Sequence, residues 1–147
     1  MTVETLFPAA KERLVSISNT APLTEAAARL GSGHVDLIAV CDKSGIIAGV
    51  ISKTDIVSRI SQCRGDACAI MASSVMSKNI VYCRRSDSLR SVWNLIKQNG
   101  VLHLPVVDDD LRPVGMIYAR DVLQTLLQEA KHEEDLLRDY VNGVGYH

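Results

Sequence analysis

Two short segments carry side chains at a spacing that suits the capture of a small polar molecule: Ser52-Lys53-Thr54-Asp55 and Tyr118-Ala119-Arg120-Asp121. Each follows an apolar run, Gly49-Val50-Ile51 or Gly115-Met116-Ile117, and precedes residues at helical spacing, which places both at strand-to-helix junctions. There, unpaired backbone N–H groups and the helix dipole favour an anion such as phosphate, with the Ser52 and Thr54 hydroxyls at hand. A carboxylate in the first helical turn, where Asp55 and Asp121 fall, can accept both hydroxyl protons of a ribose 2′,3′-diol in charge-assisted hydrogen bonds. Asp and Ser are also among the best N-cap residues, so the same pattern serves a plain helix cap. Spacing alone leaves both readings open.

Motifs for catalysis are missing from the chain. It contains no G-x-x-x-x-G-K-S/T loop, no H-E-x-x-H and no G-x-S-x-G elbow. Gly31-Ser32-Gly33 lacks the third glycine of a dinucleotide fingerprint and reads as a helix stop. His34, His103, His132 and His147 do not fall at metal-ligand spacing with one another or with the cysteines. Cys41, Cys63, Cys68 and Cys83 show no C-x-x-C pairing and are expected to be reduced small hydrophobes. A net charge of -1 gives no basic footprint for nucleic acid. No apolar run approaches the roughly 20 residues of a membrane helix, and no secretory signal is visible at the N-terminus. A cytoplasmic globular protein is the expectation.

The elements that hold the two junctions are readable because the chain repeats itself. Laid on itself at an offset of 66 residues, Leu14–Ile60 runs against Ile80–Leu126 without a gap. Identical residues then pair at Val15/Val81, Leu23/Leu89, Val35/Val101, Val40/Val106, Asp42/Asp108, Gly49/Gly115, Ile51/Ile117 and Asp55/Asp121. Each copy begins with a short strand, Leu14–Ile17 or Ile80–Cys83. An amphipathic helix of about three turns follows, with Leu23, Ala26, Ala27 and Leu30, or Leu89, Val92, Trp93 and Ile96, on one face. Thr20 and Ser86 are expected near its caps, and Gly31 and Gly100 near its stops. A hairpin comes next (Val35–Cys41 with Ile46–Ile51; Val101–Val107 with Val114–Ile117), and a second helix from Asp55 or Asp121 closes the copy. The predicted order is strand, helix, strand, strand, helix, twice. A unit this small buries its own sheet poorly, so the copies should pack together about a pseudo-two-fold axis.

The Gly-apolar-x-Ser/Thr-x-x-Asp signature at Gly49–Asp55, its recurrence at Gly115–Asp121, the strand Leu104-Pro105-Val106-Val107-Asp108 and the opening Val75-Met76-Ser77 together resemble the cystathionine-β-synthase-type (CBS) domain pair over roughly residues 14–127. The resemblance implies an α+β fold of two βαββα CBS repeats around a pseudo-two-fold axis, here with a C-terminal helix, and frequent assembly as a homodimer. It implies a regulatory ligand rather than a catalytic cofactor: an adenosine compound such as AMP, ADP, ATP, NAD or S-adenosylmethionine, held between the repeats. By the family's crosswise arrangement, a first site would join Ser52, Thr54 and Asp55 to Val81, Tyr82, Cys83, Arg84 and His103, with His103 at a position where the family often places a phosphate contact. A second site would set Tyr118, Arg120 and Asp121 against Ser16, Ile17, Ser18, Thr20 and Ala26. This second site departs from the pattern, because Tyr118 replaces the signature Ser/Thr and Asp36 stands where phosphate would approach. Like charges there cost on the order of several kcal/mol at reduced dielectric, so the second site is expected to be the weaker, or to prefer a ligand with less phosphate charge there, unless Arg120 compensates.

The expected division is an N-terminal segment (1–13), repeat 1 (14–65), a linker (66–79), repeat 2 (80–127) and a C-terminal helix and tail (128–147). Flanks this short leave no room for a separate effector domain, so the expectation is a stand-alone sensor acting through an unidentified protein target. A dimerisation scaffold with vestigial clefts is the main rival, and a small nucleotide-acting enzyme a weaker one. Trp93 is expected in the core, while Tyr82 and His103 have both cleft and structural readings. Leu127, Ala130, Leu136, Leu137 and Tyr140 form a stripe on the C-terminal helix, suited to packing on its own domain or to a dimer contact. Gly143–His147 reads as a loose end or a short docking segment.

Overall fold

In the computed structural model, residues 1–62 and 69–145 are described. Cys63, Cys68, Tyr146 and His147 lie outside them. A short helix α1 (Ala9–Glu12) precedes the first repeat: β1 (Ser16–Ser18), α2 (Leu23–Leu30), β2 (Leu37–Cys41), β3 (Ile47–Ser52) and α3 (Lys53–Gln62). The second contains α4 (Leu89–Asn99), β4 (His103–Val107), β5 (Pro113–Tyr118) and α5 (Ala119–Gly145). Short 3-10 turns at Val3–Leu6 and Ala72–Ser74 lie ahead of the repeats.

The predicted helix faces are the buried ones. Leu23, Ala26 and Leu30 of α2 and Leu89, Val92 and Ile96 of α4 are sealed in two separate cores. Trp93 packs at the edge of the second. Two local expectations shift. The caps fall two residues later than Thr20 and Ser86, at Pro22 and Ser88, and only Ser88 caps with its side chain, accepting from the Ser91 N–H at 3.1 Å. With Pro22 in that position α2 is eight residues long, about two turns rather than three. Gly100 ends α4 in the left-handed conformation at φ 63°, which a glycine adopts without steric cost.

Sheet register carries the repeat to single-residue resolution. In the first hairpin Leu37 faces Ser52, Val40 faces Gly49 and Cys41 faces Ile47 across a bulge; in the second, His103 faces Tyr118, Val106 faces Gly115 and Val107 faces Pro113 across the equivalent bulge. Every one of these pairs is related by the same offset of 66. The leading strands differ. β1 completes a three-stranded sheet parallel to β2, whereas Ile80–Cys83 is reduced to one parallel bridge between Cys83 and Val106, leaving the second sheet two-stranded.

The segments that lead into each repeat are exchanged. Residues 70–74 clamp the first repeat, with Leu23 N–H donating to Ile70 O and Ala72 N–H to Ala21 O, both at 2.8 Å. Residues 1–4 do the same for the second, through Leu89 N–H to Met1 O at 3.1 Å and Val3 N–H to Asp87 O at 2.9 Å. Ala72 and Val3 are fully buried in the respective cores. A third apolar cluster, built on Ala39, Ile47 and Val107 with Leu14 and Ile80 beside it, joins the two repeats. Leu14 and Ile80 are themselves equivalent residues, as a pseudo-two-fold relation requires. The chain is therefore two βαββα-type units packed on each other, with a long C-terminal helix.

Candidate functional site

The two strand-to-helix junctions are built alike and end up in different surroundings. At the first, Ser52 and Asp55 form a reciprocal cap: Asp55 Oδ2 accepts from the Ser52 N–H at 2.8 Å, and Ser52 Oγ accepts from the Asp55 N–H at 3.2 Å. This satisfies two orphan groups of α3 in the manner of a capping box. Among the described residues Asp55 Oδ1 makes no hydrogen bond, so one carboxylate oxygen remains free to accept a proton from a ligand.

Ser52 and Asp55 open into a cavity of about 180 Å³ between the repeats, whose other walls include Val50, Val81, Val101, His103 and Pro105, with Ser77 and Asn79 at its rim. Ser52, Asp55, Val81 and His103 of the first expected site are thus brought together. The other four do not line this cavity. Thr54 is exposed on the first turn of α3. Tyr82 is exposed, and Arg84 pairs with Asp109 at 3.3 Å. Cys83 is 1% exposed in the second core; its N–H and carbonyl are used in the bridge to β4, and burial pushes its thiol pKa up to about 12. Alternation sets Tyr82 and Arg84 on the side opposite Val81 and Cys83, and because the strand survives only as the bridge at Cys83, Val81 is not held in the core with it and lines the cavity.

His103 stands at the mouth of the cavity as the first residue of β4. Burial lowers its pKa below the ordinary 6.5, Asp36 opposes that shift, and Arg120 adds to it. It is therefore a neutral imidazole at pH 7. Asp36 Oδ2 lies 3.6 Å from His103 Nε2, and Asp36 Oδ1 lies 3.4 Å from Lys53 Nζ. Asp36 therefore stands between the two junctions, paired with Lys53 and bordering the recess lined by His103, Tyr118 and Arg120.

At the second junction the protein's own side chains engage Tyr118 and Asp121. Tyr118, only 7% exposed, donates its hydroxyl to the His34 carbonyl of the first repeat at 3.0 Å. Its ring packs edge-on against His103 with centroids 4.6 Å apart, and the Arg13 guanidinium lies 4.3 Å from its centroid. Arg13 also pairs with Asp121, occupying the carboxylate that would face a sugar. The expected partners from the first repeat are not assembled here. Ile17 and Ala26 are buried in the first core, while Ser16, Ser18 and Thr20 are exposed, with Ser18 Oγ and Thr20 Oγ1 bonded to each other at 2.9 Å. Arg120 points to a recess with Asp36 and Leu102. Tyr118 and Asp121 instead border a larger cavity of about 360 Å³ walled by the N-terminal segment, including Phe7, Pro8 and Arg13.

Arg13, Ser77, Asn79 and Pro105 were missed as site residues. The offset of 66 could have flagged Pro105 through its equivalence to Ala39 in a paired strand. It carries no signal for Ser77 or Asn79, which precede the aligned region.

The CBS domain profile matches residues 7–62 and again residues 72–128. The chain belongs to the CBS domain family and carries two copies of the domain in tandem. A homoserine O-acetyltransferase of Methanocorpusculum labreanum is 30% identical over 117 residues, which is 80% of this chain and 22% of that protein. The chain spans about a fifth of the length of this relative and of two other curated relatives it matches. The crystal structure of the CBS domain pair of protein MJ0100 in complex with 5′-methylthioadenosine and S-adenosyl-L-methionine superposes with a TM-score of 0.73 at 19% identity, covering 88% of this chain and 98% of that one. The structure of CBSX2 in complex with AMP gives 0.72 at 22% identity, with the same coverage of both chains. Likeness at this level is one of fold. Among the described residues no helix is long and apolar enough to cross a membrane, and no group of three or more His, Cys, Asp or Glu is placed to hold a metal ion.

Proposed function

We propose that this CBS pair is a regulatory module that binds one adenosine-containing ligand per chain, in the cavity between Asp55 and His103. The observation that carries this reading is the asymmetry of the two junctions: Asp55 caps its own helix and lines a cavity with apolar walls between the repeats, whereas Asp121 is engaged in an ion pair with Arg13. Asp55 Oδ1 accepts the ribose hydroxyls, Val81, Val101 and Pro105 flank the base, and Ser52 with the first turn of α3 receives the polar end.

The charge around the cavity narrows the ligand. His103 is neutral at pH 7, and Lys53 is already engaged by Asp36. The space of about 180 Å³ is below the roughly 300 Å³ at which small-molecule sites begin, so side chains at the mouth must yield to any nucleotide. A ligand with one phosphate, or with the sulfonium of S-adenosylmethionine, suits this setting better than ATP, NAD or ADP. That two similar folds hold AMP and S-adenosylmethionine supports the class. Occupancy of the cavity acts on the packing of the repeats and, through it, on a protein partner, in line with the requirement that a ligand shift only an equilibrium whose states it binds unequally.

Isothermal titration with AMP, ADP, ATP, NAD and S-adenosylmethionine tests this. One site per chain is expected, with AMP or S-adenosylmethionine at least about tenfold tighter than ATP, a difference of 1.4 kcal/mol. The scaffold reading draws on Asp55 and Asp121 both serving the protein's own structure. Heat-silent titrations with every ligand at millimolar concentration, backed by unchanged thermal stability, would establish that reading instead.

A further inference from the structure

α5 runs for 27 residues, about 40 Å, and only its first turns are held by the body of the molecule, through Ala119, Val122 and Leu126. From Ala130 to Asn142 every residue is exposed. A helical stretch of that length on its own is marginal in water, so it needs something to pack against. Its exposed face is patterned. Leu123, Leu127, Ala130, Glu134, Leu137 and Val141 follow one another at alternating spacings of four and three, the a/d seam of a coiled coil. Leu123, Leu127, Leu137 and Val141 are 37%, 61%, 65% and 63% exposed.

We propose that a second copy of this chain covers the seam, with its α5 antiparallel to the first and the pair centred on His132. The register decides the occupant and the direction. Antiparallel alignment about His132 sets Leu127 against Leu137 of the second copy, Leu123 against Val141, and Ala130 against Glu134, so every layer holds at least one small or apolar residue. Parallel alignment would stack Glu134 on Glu134 and oppose two like charges in the seam. Charge along the pair is mixed: Lys131, at the edge of the apolar groove formed by Leu123 and Leu127, meets Glu133 of the second copy, whereas Glu129 meets Asp135, so the apolar layers rather than charge set the direction. Within the seam Glu134 keeps its intrahelical partner Arg138, at 3.3 Å.

The test uses the full chain in sedimentation and in disulfide trapping. The wild type is expected to sediment at twice the chain mass, and Leu127→Glu or Leu137→Glu to weaken self-association at least about tenfold. Both positions are exposed, so circular dichroism should show folded variants. Chains carrying Leu127→Cys mixed with chains carrying Leu137→Cys should, on mild oxidation, form a link between positions 127 and 137 identified by peptide mapping. A monomer at all concentrations, a dimer indifferent to Leu137→Glu, or links joining 127 to 127 would each overturn the proposal. Calorimetry on the same samples keeps it separate from the ligand reading, which a ligand-binding monomer would leave intact.

Discussion

Asp55 holds its own helix with one oxygen and leaves the other open, and substitution can separate the two roles. Asp55→Asn keeps an acceptor for the Ser52 N–H but removes the charge; it is expected to weaken the ligand by roughly tenfold or more in calorimetry while the melting temperature stays near that of the wild type. Asp55→Ala loses the cap as well and should destabilise by about 1 kcal/mol in denaturant titration. Equal affinity in Asp55→Asn and wild type would remove Asp55 from the site. His103 gives a pH signature. Because its folded pKa is lowered, the unfolded chain binds the proton first as pH falls below the ordinary 6.5. Stability therefore rises with pH across that window and is lost on acidification. Chemical denaturation of His103→Gln between neutral pH and pH values below that window should show a shallower decline than the wild type, and identical slopes would contradict the assignment. Some of this was legible in the residues. The Ser-x-x-Asp pattern permits both the cap and the ligand contact, and the Tyr118 substitution marks the second site as abnormal. Asp36, which the repeat places at the second site, does border Tyr118 and Arg120, but the repeat carries no sign of Arg13, whose pairing with Asp121 comes from outside the aligned copies.

Among the elements, the hairpins were the most readable, since apolar alternation and turn residues fix a register with period two, and an identical register then follows for the second copy. The leading segments were invisible for a definite reason. Residues 1–4 and 70–73 are related by an offset of 69, three more than the rest of the repeat, so an ungapped comparison stops short of them. Gly49 and Gly115 tie these segments to the hairpins. A Cβ on Gly49 would lie 2.6 Å from Met76 Sδ and 2.8 Å from the Ser77 carbonyl oxygen; on Gly115 it would lie 2.9 Å from the Phe7 ring and 3.2 Å from the Ala10 carbonyl. Gly49→Ala and Gly115→Ala are each expected to cost about 1–3 kcal/mol by denaturant unfolding, Gly49→Ala more, because backbone opposes it. Hydrogen exchange should show residues 70–77 loosened in Gly49→Ala and residues 1–10 in Gly115→Ala. A pattern confined to the hairpins would contradict the exchange of leading segments.

For the whole molecule, the pseudo-two-fold relation makes two equivalent clefts and the side chains break the equivalence. The sequence repeat predicted the first half of that statement. The second depends on Arg13, outside the aligned copies, closing over Tyr118 and Asp121. Tyr118→Ser restores the small hydroxyl of the first junction and removes the ring between the repeats. It is expected to add a second, weaker binding event in calorimetry, with some loss of stability because a buried aromatic and its bond to His34 are gone. A stoichiometry still at one per chain would place the block elsewhere, most directly in the Arg13–Asp121 pair.

The most direct test of the cleft assignment is a crystal structure of the chain soaked with AMP and S-adenosylmethionine together. Density for a single adenosine is expected beside Val81 and Pro105, its ribose hydroxyls on Asp55 and its far end toward Ser52 and His103, with Tyr118 still bonded to the His34 carbonyl and Arg13 to Asp121. An unoccupied Asp55 cavity at saturating ligand, or adenosine seated at Asp121 instead, would contradict the account.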